Sequence, residues 1–388
     1  MIRTVGTCIF AATLVASPRP AAFREHLIAQ DLKGGYQIVV IDMNKDGRPD
    51  LVALASGLDQ LVWFENPGWK RHVIGSGFLR MINMAARDWD GDGVPEIVLA
   101  HEFANQAKNS IGVVSVLESQ ADPDAEWKAT EIDRLTTSHR LRWADIRANK
   151  KPALINAPLT GVQAEAPEYR GPAPLVYYET EDWIRHHITG GESKTPPDEG
   201  VVHGMHVIDW DGDGREDVMT ASFSGIHLYR FDGKGWTRTQ LVKGDPSPSP
   251  RSGSSDVTVG RFGGGRFLAA IEPWHGHQVS VYLPANEGFV RTVIDSTLVD
   301  GHTILAGDFN QDGVDEVVAG YRGQGRSVYL YYAQDKTGKK WKRETVDNGG
   351  LAAAACASAD LNGDGRVDLV CIGSATANMK WYENSGVQ

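Results

Sequence analysis

The chain has 388 residues, with 43 Gly and 18 Pro, 41% hydrophobic, 9% aromatic and 23% charged side chains. That Gly and Pro content excludes coiled coils and long helical bundles, whose interiors lose about 1 and 3 kcal/mol for each Gly and Pro, and the apolar content excludes disordered and collagen-like chains. A net charge of −11 argues against nucleic-acid binding, since a surface that tracks phosphates is strongly basic.

The N-terminus reads as a secretory signal peptide: Met1-Ile2-Arg3, an apolar run from Thr4 to Ala16, then Ser17 to Ala22, within which cleavage is expected. The predicted organisation is a signal peptide over residues 1–22 and one repeat domain over residues 23–388. No later stretch approaches the ~18 continuous apolar residues of a membrane span. The expected location is secreted or periplasmic, where calcium is available.

Past the leader, a nine-residue pattern, Asp-x-Asp/Asn-x-Asp-Gly-x-x-Asp/Glu, recurs five times, starting at Asp42, Asp88, Asp209, Asp308 and Asp360. Degenerate copies start at Asp145 and Gly260, so seven units follow one another at intervals of 46 to 64 residues. A second element, an aromatic residue with Ile, Leu or Val five positions on, also occurs seven times: Phe23, Trp69, Trp127, Trp183, Trp236, Phe289 and Trp341. A third is a short run rich in β-branched and aromatic residues, such as Leu61-Val-Trp-Phe-Glu65 and Met379-Lys-Trp-Tyr-Glu383.

Each unit therefore predicts four strands: one into the acidic loop, one out of it, the β-rich run, and the aromatic strand. Four-stranded units repeated radially make a propeller. The predicted fold is all-β, a seven-bladed β-propeller of four-stranded antiparallel blades. The last unit ends after its third strand at Gln388 while an unmatched fourth-type strand, Phe23 to Ile28, opens the chain. The N-terminal strand is thus expected to complete the last blade, removing an exposed sheet edge. With these repeats the chain resembles the FG-GAP or VCBS repeat proteins, calcium-binding seven-bladed propellers.

The acidic loops place oxygen ligands at positions 1, 3, 5, 7 (through a carbonyl) and 9, with Gly at 6, a donor set suited to Ca²⁺. The predicted ligand sets are Asp42, Asn44, Asp46, Arg48 and Asp50; Asp88, Asp90, Asp92, Val94 and Glu96; Asp209, Asp211, Asp213, Arg215 and Asp217; Asp308, Asn310, Asp312, Val314 and Glu316; and Asp360, Asn362, Asp364, Arg366 and Asp368. An EF-hand needs Glu at position 12, where the first loop has Ala53. About five structural Ca²⁺ ions are expected, offsetting most of the net charge of −11. The loops at Asp145 and Gly260 are expected to be empty, with Arg147, Lys150 or Lys151 standing in for the metal in the first of them.

Six residues before the seven loop starts come Tyr36, Ile82, His139, His203, Ser254, His302 and Ala354, on the face away from the loops and near the central channel. Where the second strand returns to that face come His101, His275, Tyr321 and Arg322, so a ring of His, Tyr and Arg is expected. The longest connections, 101–110, 158–172, 190–202 and 243–255, fall on the same face and would wall a cleft. Short ligand-pair spacings are confined to His275-Gly-His277 and His203-x-x-His206, which says little for a transition metal.

Val202-His-Gly-Met-His206, Ile271-Glu-Pro-Trp-His-Gly-His277, Asp300-Gly-His302 and Asn378-Met-Lys-Trp-Tyr-Glu-Asn384 resemble the propellers of aldos-2-ulose dehydratase and the L-rhamnose-α-1,4-D-glucuronate lyases. That resemblance implies β-elimination on a uronic-acid glycoside or sugar derivative. It would use His203, His302, His139 or His101 as base, Arg142 or Arg322 to neutralise the enolate, and Tyr321 or a second His as acid. The alternative is a propeller that binds a glycan or protein partner without turnover. Cys356 and Cys371 fall on adjacent strands, as a disulfide or as two buried thiols.

Overall fold

The computed structural model describes residues 19–120 and 125–387; the predicted signal peptide lies outside them up to residue 18. Seven four-stranded antiparallel sheets form the blades. The first strands of successive blades, Gly35–Ile41, Asn83–Arg87, Ser138–Ala144, Val202–Ile208, Asp256–Phe262, Gly301–Gly307 and Ala353–Ala359, pack against one another in a closed circle around the axis. In the last blade the outermost strand is Ala21–Ala29, paired antiparallel with Met379–Val387, which bears out closure by the N-terminal strand. That strand starts at Ala21, two residues ahead of the expected domain boundary, and Ala21 is buried.

Hydrophobic patterning explains the radial stacking. Second strands such as Asp50–Ala55, Ala153–Pro158 and Glu316–Tyr321 are buried along their whole length because each is covered on both faces by neighbouring blades. Val52, Leu54 and Leu61 of the first blade, for example, pack with Met84, Ile97, Leu99 and Leu117 of the second. Side chains on alternate faces of a strand thus enter two different inter-blade cores.

Polar clamps tie neighbouring blades at their outer strands. An Asp at the end of a fourth strand takes a Tyr from the next blade's third strand and a cation from that blade: Asp133 with Tyr178 and Arg185, Asp295 with Tyr331 and Arg343, Asp347 with Tyr382 and Lys380. In the last blade Cys356 and Cys371 lie directly opposite and their sulfurs are bonded, so the disulfide reading holds.

Asp347 accepts four hydrogen bonds, from Lys380 Nζ (2.8 Å), Tyr382 Oη (2.8 Å) and the backbone N–H groups of Gly350 (2.7 Å) and Leu351 (3.0 Å). Asp347→Ala leaves the buried Lys380 with Glu25 alone, and should lower stability by about 3 kcal/mol. Denaturant unfolding of wild type and variant checks this; a change under about 0.5 kcal/mol, the usual range for a neutral surface substitution, would refute the clamp.

Candidate functional site

The five intact acidic loops share one geometry. The position-1 carboxylate accepts the N–H of the position-6 Gly at 2.8 to 3.1 Å, and the position-5 carboxylate accepts the N–H at position 7 at 2.7 to 2.9 Å. Each Gly at position 6 has φ between 81° and 89°, a conformation an L side chain rarely adopts. The position-9 carboxylates are buried and accept the N–H at position 2. Burial first, and neighbouring carboxylates after it, push Glu96 up to about 7, Asp217 to about 6 and Glu316 to about 8. Three carboxylates converge within 4.8 Å in two of the loops, Asp88 with Asp90 and Glu96, and Asp209 with Asp211 and Asp213. This hard-oxygen set fits a divalent cation.

The degenerate loops are organised differently from the expectation of a substituting cation. Arg147 turns outward to Glu179 and Lys151 to Glu181. Asp145 is instead held by the next blade: its N–H donates to Glu216 at 2.6 Å and its carbonyl accepts the Glu216 N–H at 3.0 Å. At Gly260 the strands run straight into a tight turn at Gly263-Gly264, and Arg261 makes the same reciprocal pair with Asp315 of the following blade.

On the opposite face the first strands present their second residue to the axis. In five blades this residue sits at a β-bulge: Tyr36, His139, His203, His302 and Ala354. A bulge takes a residue out of the pleat and re-aims its side chain. His139, His203 and His302 are each 2% exposed. The His203 ring centroid lies 5.0 Å from those of both His139 (tilted) and His302 (edge-on), and His275 stands 4.9 Å from His203.

Polar contacts fix these rings. Tyr36 Oη lies 3.1 Å from His139 Nε2, to which Arg140 Nη1 donates at 3.2 Å. His203 Nδ1 donates to Ser255 O (3.1 Å) and His302 Nδ1 to Ala354 O (2.6 Å). Arg322 forms a two-point ion pair with Asp300, beside His275. Below the rings runs a channel of about 380 Å³ lined by Asn83, Arg140, Arg142, His206, Asp256 and Thr303 among others. Burial, then the neighbouring guanidinium groups, hold His139, His203 and His302 well below the ordinary imidazole range, so all three are neutral at neutral pH.

The structure thus brings together His139, His203, His275, His302 and Arg322 of the predicted ring, with Arg142 deeper in the channel. It separates two others. His101 turns to Ser115 in its own blade and packs on Phe78, and Tyr321 turns to Gly325 and Tyr329 within the core of the sixth blade. Both are the last residue of a second strand, and the pleat sends them away from the axis. Arg140, Asp256, Asp300 and Ser255 join the site without having been singled out for it. Two of the long connections wall one side through Phe103, 5.5 Å from His139 by ring centroids, and Tyr169, which with Phe223 and Trp274 of two short turns forms an aromatic cluster continuing to His275.

The comparisons agree with this architecture. The family model for the FG-GAP-like repeat matches residues 42–99 and 308–371, and that for the β-propeller domain of aldos-2-ulose dehydratase matches residues 111–285. The resemblances drawn from the repeats and from the aldos-2-ulose dehydratase stretches are both borne out. Among solved structures, the exotype rhamnogalacturonan lyase YesX shares the fold with a TM-score of 0.52, covering 96% of this chain and 75% of its own, at 13% identity. No curated protein matches the chain in sequence. No helix among the described residues is long and apolar enough to cross a membrane.

Burial, and Arg142 beside it, lower His206 to about 4 from 6.5. The unfolded chain therefore takes up a proton that the folded one refuses, so stability is full above pH 6.5 and falls as pH drops toward 4, by up to about 3 kcal/mol from this residue. Melting temperature measured across that window should fall with pH, and more shallowly in His206→Gln; parallel curves would refute the assignment.

Proposed function

We propose that this chain catalyses β-elimination on a carbohydrate, as a lyase or dehydratase, at the channel mouth opposite the acidic loops. The observation that carries this reading is the buried, neutral His139 bonded to Tyr36 Oη and flanked by Arg140, its ring centroid 5.0 Å from that of His203. Elimination needs a base for the proton α to a carboxyl or carbonyl group, positive charge where the enolate forms, and an acid for the departing oxygen. The His139–Tyr36 pair moves the proton, and Arg140 or Arg322 meets the developing negative charge. The C–O bond to the leaving group breaks as the C=C bond forms, and the departing oxygen takes up a proton. The stretch matched to the dehydratase propeller, 111–285, supplies His139, Arg140, His203 and His275. The substrate class is a uronic-acid glycoside or a related sugar derivative.

A second reading rests on the wall of Phe103, Tyr169, Phe223 and Trp274. Aromatic faces of this kind stack on sugar rings, and the same mouth could hold a glycan without turning it over. The two readings separate in one experiment. The chain is incubated with uronic-acid glycans while the ultraviolet absorbance of the unsaturated product is followed. Tyr36→Phe should lower kcat by about 100-fold or more with an unchanged melt; glycan binding by calorimetry without product would favour the binding reading.

The five intact loops are proposed to hold Ca²⁺, and the chain to be exported, in keeping with the leader-like N-terminus and the Cys356–Cys371 bond. Chelation should lower the melting temperature, since a site saturated a hundredfold over its Kd adds about 2.7 kcal/mol. Asp211→Ala should remove one equivalent of bound Ca²⁺ by titration; an unchanged stoichiometry would overturn the assignment of that loop.

A further inference from the structure

Two guanidinium groups of one inner strand, Ser138–Ala144, face the axis beneath the imidazoles. Arg140 and Arg142 are two residues apart, so they share one side of the strand, and both line the central channel. Arg140, 6% exposed, directs Nη1 at His139 Nε2 and has the Tyr36 ring 5.7 Å away. Arg142 directs Nη1 at Asn83 Oδ1 (3.3 Å) and Leu141 O (2.8 Å). Nε and Nη2 of both groups have no protein acceptor among the described residues. The channel lining holds one carboxylate, Asp256, which accepts the Val257 N–H at 3.0 Å and pairs with neither arginine. His206, lowered to about 4, adds no charge at neutral pH. Two cations therefore stand against one anion, and burial, with Arg140 after it, pulls Arg142 down to about 10. Asn83, on the adjoining blade, adds a third unanswered donor. Its Oδ1 accepts the Leu141 N–H at 2.9 Å, and since an N–H only donates, the orientation of the amide is fixed. Its Nδ2 is left without a protein acceptor among the described residues, although Asn83 is 2% exposed and lines the channel.

We propose that the central channel holds one small monovalent anion, of halide size, among Arg140, Arg142 and Asn83, in a site separate from the substrate position at the mouth. Buried donors and uncompensated positive charge are both costly without an acceptor that carries negative charge, and a halide supplies one to several N–H groups at once. The channel, about 380 Å³, admits such an ion together with water. The donors are in place without it, since Asn83 is tied to the Leu141 backbone and Arg142 is braced on Asn83 across two blades. The bound ion would relieve the repulsion between the two guanidinium groups where the second and third blades meet. The site goes beyond the elimination reading and does not depend on it.

The test uses the full mature chain in a Ca²⁺-containing buffer whose only other anion is a bulky sulfonate. Crystals soaked in bromide should show an anomalous peak in the channel beside Arg142 and Asn83. Titration with chloride at constant ionic strength should broaden the chloride NMR line saturably and raise the melting temperature. Asn83→Asp places a fixed carboxylate at the same point and keeps the acceptor for the Leu141 N–H. It should melt no lower than wild type without halide, lose the chloride-dependent rise, and weaken chloride binding by about 10-fold or more. Arg142→Met should weaken binding by a similar factor; if it does not fold, Asn83→Asp remains the deciding variant. No anomalous peak in the channel, or an unchanged chloride response in folded Asn83→Asp, would overturn the proposal. Glucuronate, added as a probe of the mouth, should leave chloride bound; its displacing chloride would give these guanidinium groups to a substrate carboxylate and overturn a separate anion site. Bound halide without turnover on any glycan would overturn only the elimination reading.

Discussion

The whole arrangement depends on the ring being closed. Seven wedge-shaped sheets stay in a circle only if no edge is left to splay, and the pairing of Ala21–Ala29 with Met379–Val387 removes the edge that the seventh blade would otherwise expose. Closure fixes the distances across the axis, because each first strand is wedged between two neighbours. Side chains from the first, third, fourth and sixth blades then meet at the mouth although Tyr36 and His302 are more than 260 residues apart in sequence. The Asp-Tyr-cation clamps add rigidity at the rim, where a small rotation of one blade would be amplified into a displacement of its inner strand.

Within that frame the bulges do the aiming. A regular strand starting at Val202 or Gly301 would send successive side chains alternately into two inter-blade cores, leaving the axis to backbone. One bulged residue per strand departs from that alternation, and where it is His the imidazole enters a buried, polar pocket beside Arg140 and Arg322. Burial and cationic neighbours act in the same direction on an imidazole, keeping it uncharged. The mouth therefore concentrates neutral nitrogen bases beside permanent positive charge, a combination suited to generating and holding an anion.

Much of this was legible in the sequence because the repeats lock strand to loop. Counting six back from the loop start finds His139, His203 and His302, since inner strand and acidic loop share one register in every blade. Counting forward along the second strand fails for His101 and Tyr321, where the pleat decides the direction, and succeeds for His275 only because that residue lies beyond the strand in a turn with φ of 48°. Arg140 carried a usable signal, as the neighbour of a bulged residue. Asp300 was legible only as part of the Asp300-Gly-His302 stretch and without a role: its value comes from facing Arg322 and His275 of two other segments, which no spacing encodes.

The two blades without an acidic loop show how the two faces of the molecule are coupled. The third and fifth blades contribute His139, Arg140, Arg142, Asp256 and His275 to the mouth, yet the fifth has no loop carboxylates and the third keeps only Asp145, which still accepts the Asn149 and Lys150 N–H groups. Each is held by the next blade through an acidic residue at position 8 of that blade's loop, Glu216 in one case and Asp315 in the other. The five loops that follow an intact copy around the ring carry Pro49, Pro95, Pro152, Phe267 or Val367 there instead. The acidic residue at position 8 thus appears where the preceding blade has no carboxylate set of its own. A reciprocal pair of one side-chain and one backbone hydrogen bond replaces the local constraint in the fifth blade and adds to it in the third, so the strands that carry much of the mouth chemistry remain anchored at their far ends.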